Sequence, residues 1–156
     1  MSSASLPHVD EHATIVAAPP EDVWPHLCDT VERAFSRPGM SHYPRLVGSA
    51  EPSASGPRPL AEGSTLPGFR VVTALPGREL VLAGRHWFAT YALIFRLEPA
   101  GPGRTRLRAE TRAVFPGVAG GLYRMAVIGS GGHRIAVRRL LATVRRRAGG
   151  PPPARP

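Results

Sequence analysis

The residue of this chain best placed to do chemistry is His133. It follows the run Gly129-Ser130-Gly131-Gly132 and falls on an apolar stripe within a basic segment from Gly117 to Ala148. At 100° per residue, Leu122, Ala126, Gly129, His133, Ala136, Val137, Leu140 and Val144 share one helical face. An imidazole with a reference pKa near 6.5 on such a face can hydrogen-bond a ligand carbonyl or act as general acid or base. The plainer alternative is a core histidine bonded to a strand backbone or to Thr111. Thr111 and Tyr91 are the polar members of otherwise apolar strand faces, and Phe95 shares the face of Tyr91. A buried hydroxyl needs a partner, so each is bonded internally or offered to a ligand. Tyr123 stands at the start of the helical segment, where it either rims an opening or anchors the helix. His86 and Trp87 are adjacent, so on a regular strand one points in and the other out. Neighbouring glycines in a helix cost about 1 kcal/mol each relative to alanine. Gly129 therefore belongs to a kink, or to a place where backbone passes close to sheet or ligand.

Other chemistries find less support. His8, His12, His26, His42, His86 and His133 are scattered, and no metal site is expected from their spacing. Cys28, two residues from His26 on a helix, reads as a small core residue. No Ser/His/Asp set or pair of carboxylates placed for hydrolysis stands out. The glycine run lacks both the G-x-x-x-x-G-K-[ST] and the G-x-G-x-x-G patterns, so no phosphate loop and no cofactor is expected.

The elements that must position these residues can be read in order. His8–Ala17 reads as a strand after a loose start at residues 1–7. Pro20 suits the first helical position, Glu21 and Asp22 favour the helix N-terminus, and Val23, Trp24, Leu27, Val31 and Phe35 recur at helical spacing. Pro25 predicts a bend there or a late helix start. A short strand is expected around Tyr43–Val47, then a polar connection over Pro52–Pro59. Phe69–Leu75, Glu79–Arg85, His86–Leu97 and Arg104–Phe115 follow as strands joined by short loops, hence antiparallel. In the last of these, Arg104, Arg106, Arg108, Glu110 and Arg112 point one way, while Leu107, Ala109, Thr111, Ala113 and Phe115 point the other. The apolar face needs a cover, and the C-terminal helix is long enough to supply it. The class is α+β, with the domain over residues 8–148 and a disordered tail at 149–156.

Composition bounds the function. The 42% of apolar residues marks a globular chain of 156 residues, long enough for one core and a cavity. No run nears the roughly 18 apolar residues of a membrane span, so no stable membrane insertion is expected. The start lacks a signal-peptide pattern, and one cysteine fits a reducing compartment; the reading is cytoplasmic. All 20 basic residues are arginine. Residues 1–40 carry six acids and two arginines, leaving five acids and 18 arginines for the rest. Alternate strand arginines, Arg96 among them, and the helix-end group Arg138, Arg139 and Arg145–Arg147 read as solvated charge, so no nucleic-acid partner is expected.

The stretch Ile15-Val16-Ala17-Ala18-Pro19-Pro20-Glu21-Asp22-Val23-Trp24, the strand Tyr91–Leu97 and the final basic amphipathic helix resemble the START/SRPBCC superfamily. Its bacterial members include polyketide cyclase/dehydratase-like proteins, and birch-pollen-allergen-like proteins belong to it too. The order of elements agrees over residues 8–148. The resemblance implies the helix-grip fold, a curved antiparallel sheet wrapped around a long C-terminal helix. It implies a small hydrophobic or aromatic molecule, of lipid or polyketide type, bound between sheet and helix. Tyr91, Phe95, Thr111, Tyr123, Gly129, His133 and His86 are the residues expected to meet it. The alternatives are a polyketide cyclase/dehydratase-like enzyme with His133 as acid/base, and an interaction module whose core is filled.

Overall fold

Strand β6 (Thr105–Val114) carries the alternation that organises the molecule, and it lies inside the sheet with a partner on each side. In the computed structural model, which describes residues 3–37 and 43–149, six strands pair in the order β1-β6-β5-β4-β3-β2. These are β1 (His8–Val16), β2 (Thr65–Leu66), β3 (Phe69–Leu75), β4 (Glu79–His86), β5 (Ala89–Pro99) and β6, all antiparallel. Helix α1 (Pro20–Phe35) follows β1, and a four-residue helix α2 (Tyr43–Leu46) follows α1. After β6 come α3 (Gly117–Arg124), a π turn (Met125–Gly129) and α4 (Gly132–Gly149). This is the helix-grip arrangement, a curved antiparallel sheet with the C-terminal helix packed on it.

The core sits on the concave face. Val16, Leu80, Leu82, Leu93, Phe95, Leu97, Leu107 and Ala109 meet Val23, Leu27, Cys28 and Val31 of α1, and Val137, Leu140, Leu141 and Val144 of α4. The convex face carries a smaller apolar patch of Val81, Ala92 and Ile94. Ser3–Ser5 form a 3-10 turn, and Leu6 after it lies buried on that patch.

Three expectations need correction. Tyr43–Leu46 is helical and not extended, because proline at its second position fits a helical first turn. His42, beside it, lies outside the described residues, as do 150–156 of the tail. Of the two outcomes expected from Pro25, the late start does not occur: helix α1 starts at Pro20 and runs through Pro25. That proline gives up only a bond to the carbonyl of Glu21, near the helix start. The closing helix is not one continuous amphipathic rod. A π turn adds a residue to the α repeat, and Gly131 breaks the helix at φ 77°. The stripe therefore rotates: Val137, Leu140 and Val144 are buried, joined by Leu141, while Leu122 is 63% exposed. Ala126, Gly129 and Ala136 also face outward. The kink expected at the glycines is present.

The convex charges are paired more closely than a solvated face requires. Glu110, whose side chain is 8% exposed, accepts from Arg96 Nη1 at 2.8 Å, Arg112 Nε at 2.6 Å and His8 Nδ1 at 3.3 Å. Arg108 bridges Glu11 and Glu98 at 2.5 and 2.6 Å. Burial alone would raise the Glu110 carboxyl, but the bonds from Arg96, His8 and Arg112 outweigh it and hold it at about 2. A carboxylate with a depressed folded pKa contributes stability above its unfolded value, and that contribution fades as pH falls toward the folded one. Glu110→Gln is expected to lower stability at neutral pH by about 2 kcal/mol, the size of a hydrogen bond to a charged group, since its arginine partners are partly solvated. In urea titrations the gap between parent and variant should close between pH 4.5 and about 2.

Candidate functional site

The concave face carries two groups of polar and aromatic side chains. The first gathers where β1, β6 and the start of α4 meet. Asp10 lies opposite Thr111 in the β1–β6 register, and His12 lies opposite Ala109. His133, in the first turn of α4, reaches between them. Its Nε2 is 2.8 Å from Thr111 Oγ1 and 3.7 Å from Asp10 Oδ1. The other carboxylate oxygen, Oδ2, is 3.4 Å from His12 Nε2. Side-chain exposures of 22% for His133, 18% for Asp10 and 13% for His12 place the group below the surface without sealing it. Asp10 Oδ1 is buried and has no hydrogen-bond partner. Burial lowers the His133 pKa; Asp10 pulls against this and His12 adds to it. The ring is therefore neutral at pH 7, beside a carboxylate able to stabilise it once it takes a proton.

The second group is a row of rings at the end of the sheet near the β4–β5 turn. Phe35 touches Phe69 at 4.6 Å between centroids, Phe69 meets Tyr91 edge-on at 5.2 Å, and Tyr91 and Tyr123 flank His86 at 5.4 and 4.9 Å. Tyr123 stacks on Phe88 at 5.6 Å. Strand β4 ends at His86, and Trp87 and Phe88 make the turn, so the expected single strand from His86 to Leu97 begins only at Ala89. His86 points in and Trp87, 69% exposed, points out. The Phe88 N–H donates to His86 Nδ1 at 3.1 Å, which places the proton of the neutral ring on Nε2, and burial lowers the His86 pKa. Gly84 makes room for Tyr91: a Cβ there would stand 2.2 Å from Gly68 O and 2.5 Å from the Tyr91 ring. The Tyr91 hydroxyl donates to that same Gly68 carbonyl at 2.6 Å, and burial pushes its pKa up to about 12. The Tyr43 hydroxyl donates to that of Tyr123 at 2.5 Å, tying α2 to α3.

Of the residues singled out from sequence, His133 and Thr111 meet directly, and His86, Tyr91 and Tyr123 meet in the ring row. The two sets are separate. Phe95 is wholly buried in the main core. Gly129 is exposed, with open space where a Cβ would stand. Asp10 and His12 are the additions. Their signal is the alternation Asp10, His12, Thr14, Val16, which puts both on the face of Val16. A β-bulge between His8 and Asp10 sends His8 instead to the convex face and Glu110. Among the described residues no three His, Cys, Asp or Glu side chains are placed to hold a metal ion, and no helix is long and apolar enough to cross a membrane.

Two open grooves mark the surface. One, of about 270 Å³, lies between Pro7–Val9, Ala113–Phe115, Gly121 and Arg124. The other, of about 420 Å³, runs between Glu11–Thr14 and the α4 residues Arg138, Leu141, Ala142 and Arg145. His12 is the one member of the polar group on a groove wall. Above the concave face, α3 and the π turn leave Val118, Leu122 and Met125 exposed at 83, 63 and 71%.

No family model matches the chain, and no curated protein matches it in sequence. Solved structures do match in fold. The Zhui aromatase/cyclase from Streptomyces sp. R1128 is 18% identical, with 92% of this chain and 93% of that one covered at a TM-score of 0.59. Protein CV1439 from Chromobacterium violaceum is 12% identical, covering 93% and 100% at 0.53. CalU16 from Micromonospora echinospora is 18% identical, covering 92% and 85% at 0.52. At these identities the likeness establishes a shared fold.

Proposed function

We propose that the protein binds a small hydrophobic or aromatic molecule on its concave face, between the sheet and the segment from α3 to the start of α4. The observation that carries this reading is Asp10 Oδ1, a buried acceptor left unpartnered beside a neutral imidazole. Buried polar groups are ordinarily bonded, so an acceptor whose nearest partner, His133 Nε2, stands at 3.7 Å is capacity for a ligand hydroxyl. Thr111 and His133 bond to one another at 2.8 Å beside it, which fixes the ring next to the free oxygen. Tyr91, His86 and Tyr123 supply a face on which an aromatic ring stacks. The aromatase/cyclase among the fold neighbours is in keeping with a ligand of polyketide type and with SRPBCC membership. A second reading follows from the same carboxylate. A neutral His133 with Asp10 at 3.7 Å can take a proton from an activated carbon and return it to a leaving oxygen, the acid/base work of a cyclase/dehydratase-like enzyme.

Binding is tested by fluorescence titration of the full chain with a hydroxylated anthraquinone, after native mass spectrometry for any co-purifying apolar compound. Saturable binding is expected, weakened about tenfold (roughly 1.4 kcal/mol) by Tyr123→Ala and by Asp10→Asn, and unchanged by Arg70→Ala on an exposed strand. Equal affinity in all four proteins would overturn the site. For the enzymatic reading, His133→Gln should abolish turnover of poly-β-ketone substrates while leaving affinity within threefold; turnover that survives the change refutes it.

The histidines also set a pH dependence. Burial favours neutral His133 and His86 in the folded chain, so the unfolded chain binds protons first as pH falls. Their contribution is complete above pH 6.5 and declines as pH drops below it. Stability is expected to fall between pH 7 and 5, and His133→Gln should flatten that fall without altering the loss below 4.5 that belongs to Glu110.

A further inference from the structure

Strand β1 is an edge of the sheet: β6 pairs with one side of it, and among the described residues no strand pairs with the other. Helix α4 runs alongside this edge in the same direction. His133 lies by Asp10, and a Cβ on Gly149 would stand 3.5 Å from the backbone nitrogen of Ala17. Sixteen helical residues and seven extended ones both span about 23–24 Å, so the two keep step. The larger groove lies between them. Its strand wall is formed by four consecutive residues, Glu11–Thr14, from both faces of β1, which places the groove at the free edge and not over a face. Its helix wall is a single stripe at i, i+3, i+4 and i+7: Arg138, Leu141, Ala142 and Arg145.

The chemistry of the two walls is complementary to one kind of occupant. The strand edge offers backbone N–H and C=O groups that nothing in the described chain uses. Leu141, 3% exposed, and Ala142 make an apolar floor with little bulk. Arg138 and Arg145 are exposed, stand about 10 Å apart along the axis, and have no ion-pair or hydrogen-bond partner among the described residues. The four strand residues opposite span the same 10 Å. The one carboxylate on the wall, Glu11, is held by Arg108 at 2.5 Å on the convex side.

We propose that this groove takes an extended acidic peptide segment of a partner, added as a strand to the free edge of β1 with its carboxylates on Arg138 and Arg145. Main-chain pairing supplies affinity, and the two guanidinium groups, on long flexible side chains, select acidic side chains on the strand face turned to α4. A second copy of this chain is a poor occupant, because the same two arginines on a protein of formal charge +9 would face their own kind. The proposal does not rest on ligand binding at the concave face, although His12 is shared by the groove wall and the polar group beneath α4.

The test is fluorescence anisotropy of the full chain with a labelled hexapeptide alternating glutamate and valine. The controls are the same peptide N-methylated at alternate residues, a lysine–valine peptide and a labelled twenty-base oligothymidine. Saturable binding of the glutamate peptide is expected, with at least a tenfold loss on N-methylation and on the double change Arg138→Ala with Arg145→Ala. The lysine peptide should not bind. Hydrogen exchange of the segment covering Glu11–Thr14 should slow when the glutamate peptide is present. Equal affinity for the N-methylated peptide, or no loss in the double variant, overturns strand addition at this groove. Tighter, competing binding of the oligonucleotide overturns the choice of partner.

Discussion

The register of β6 between β1 and β5 is the constraint on which the rest of the structure depends. Side chains alternate along a strand, so a slip of one residue would exchange the two faces of all three strands. Two different forces oppose such a slip. On the concave face Leu107 and Ala109 are wholly buried. On the convex face Glu110 accepts from two arginines and a histidine brought in by β5, its own strand and β1. Moving β6 by one position would put arginines into the core and pull that carboxylate from its partners. The same register sets Thr111 opposite Asp10 on one side and Leu93 on the other. The polar group beneath α4 is thus a by-product of the pairing that builds the sheet.

Within that frame the two candidate groups differ in how they spend their polar atoms. In the ring row every hydroxyl described is bonded inside the protein: Tyr91 to Gly68, Tyr43 to Tyr123. These rings offer faces and edges, with their polar ends already committed. Under α4 the balance is reversed. Thr111 and His133 satisfy one another, while one oxygen of Asp10 is left over. A molecule that is mostly apolar with one hydroxyl at its end would match this division between a stacking end and a bonding end.

Much of this was legible in the sequence, and the limits have physical causes. The alternation of β6 named its inner and outer faces correctly, and the contact between Thr111 and His133 follows from placing a helix over that face. Asp10 and His12 were not legible as partners of His133. Their approach depends on the β1–β6 register and on a bulge beside Asp10, and neither leaves a trace in residue types. The stripe of the last helix was misplaced before Val137 because a single α repeat was carried through a π turn and a left-handed glycine. Tyr43–Leu46 misled in another way. Tyrosine, leucine and valine favour strands, but a proline at the second position of so short a segment favours a helical turn.

The uneven charge of the chain gains a structural meaning from the same pairing. After Glu110 the sequence has no acidic residue, while the first 40 residues hold six. Folding brings these two ends together. Asp10 faces His133, Asp29 accepts from Arg147 at 2.6 Å, and Glu11 accepts from Arg108. Asp29 and Glu11 thus act as internal counter-charges for the C-terminal half, and with Asp10 they join β1 and α1 to α4 and β6. They are too few to neutralise α4. Its inward stripe is apolar and its end is met by Asp29, so the surplus stays on its exposed positions, Arg134, Arg138, Arg139 and Arg145 among them. Of these, Arg138 and Arg145 border the free side of β1, whose other side pairs with β6. An imbalance that at the level of composition points nowhere in particular thus reaches, in part, the free edge of β1, where, among the described residues, two unpaired arginines and unpaired backbone lie side by side.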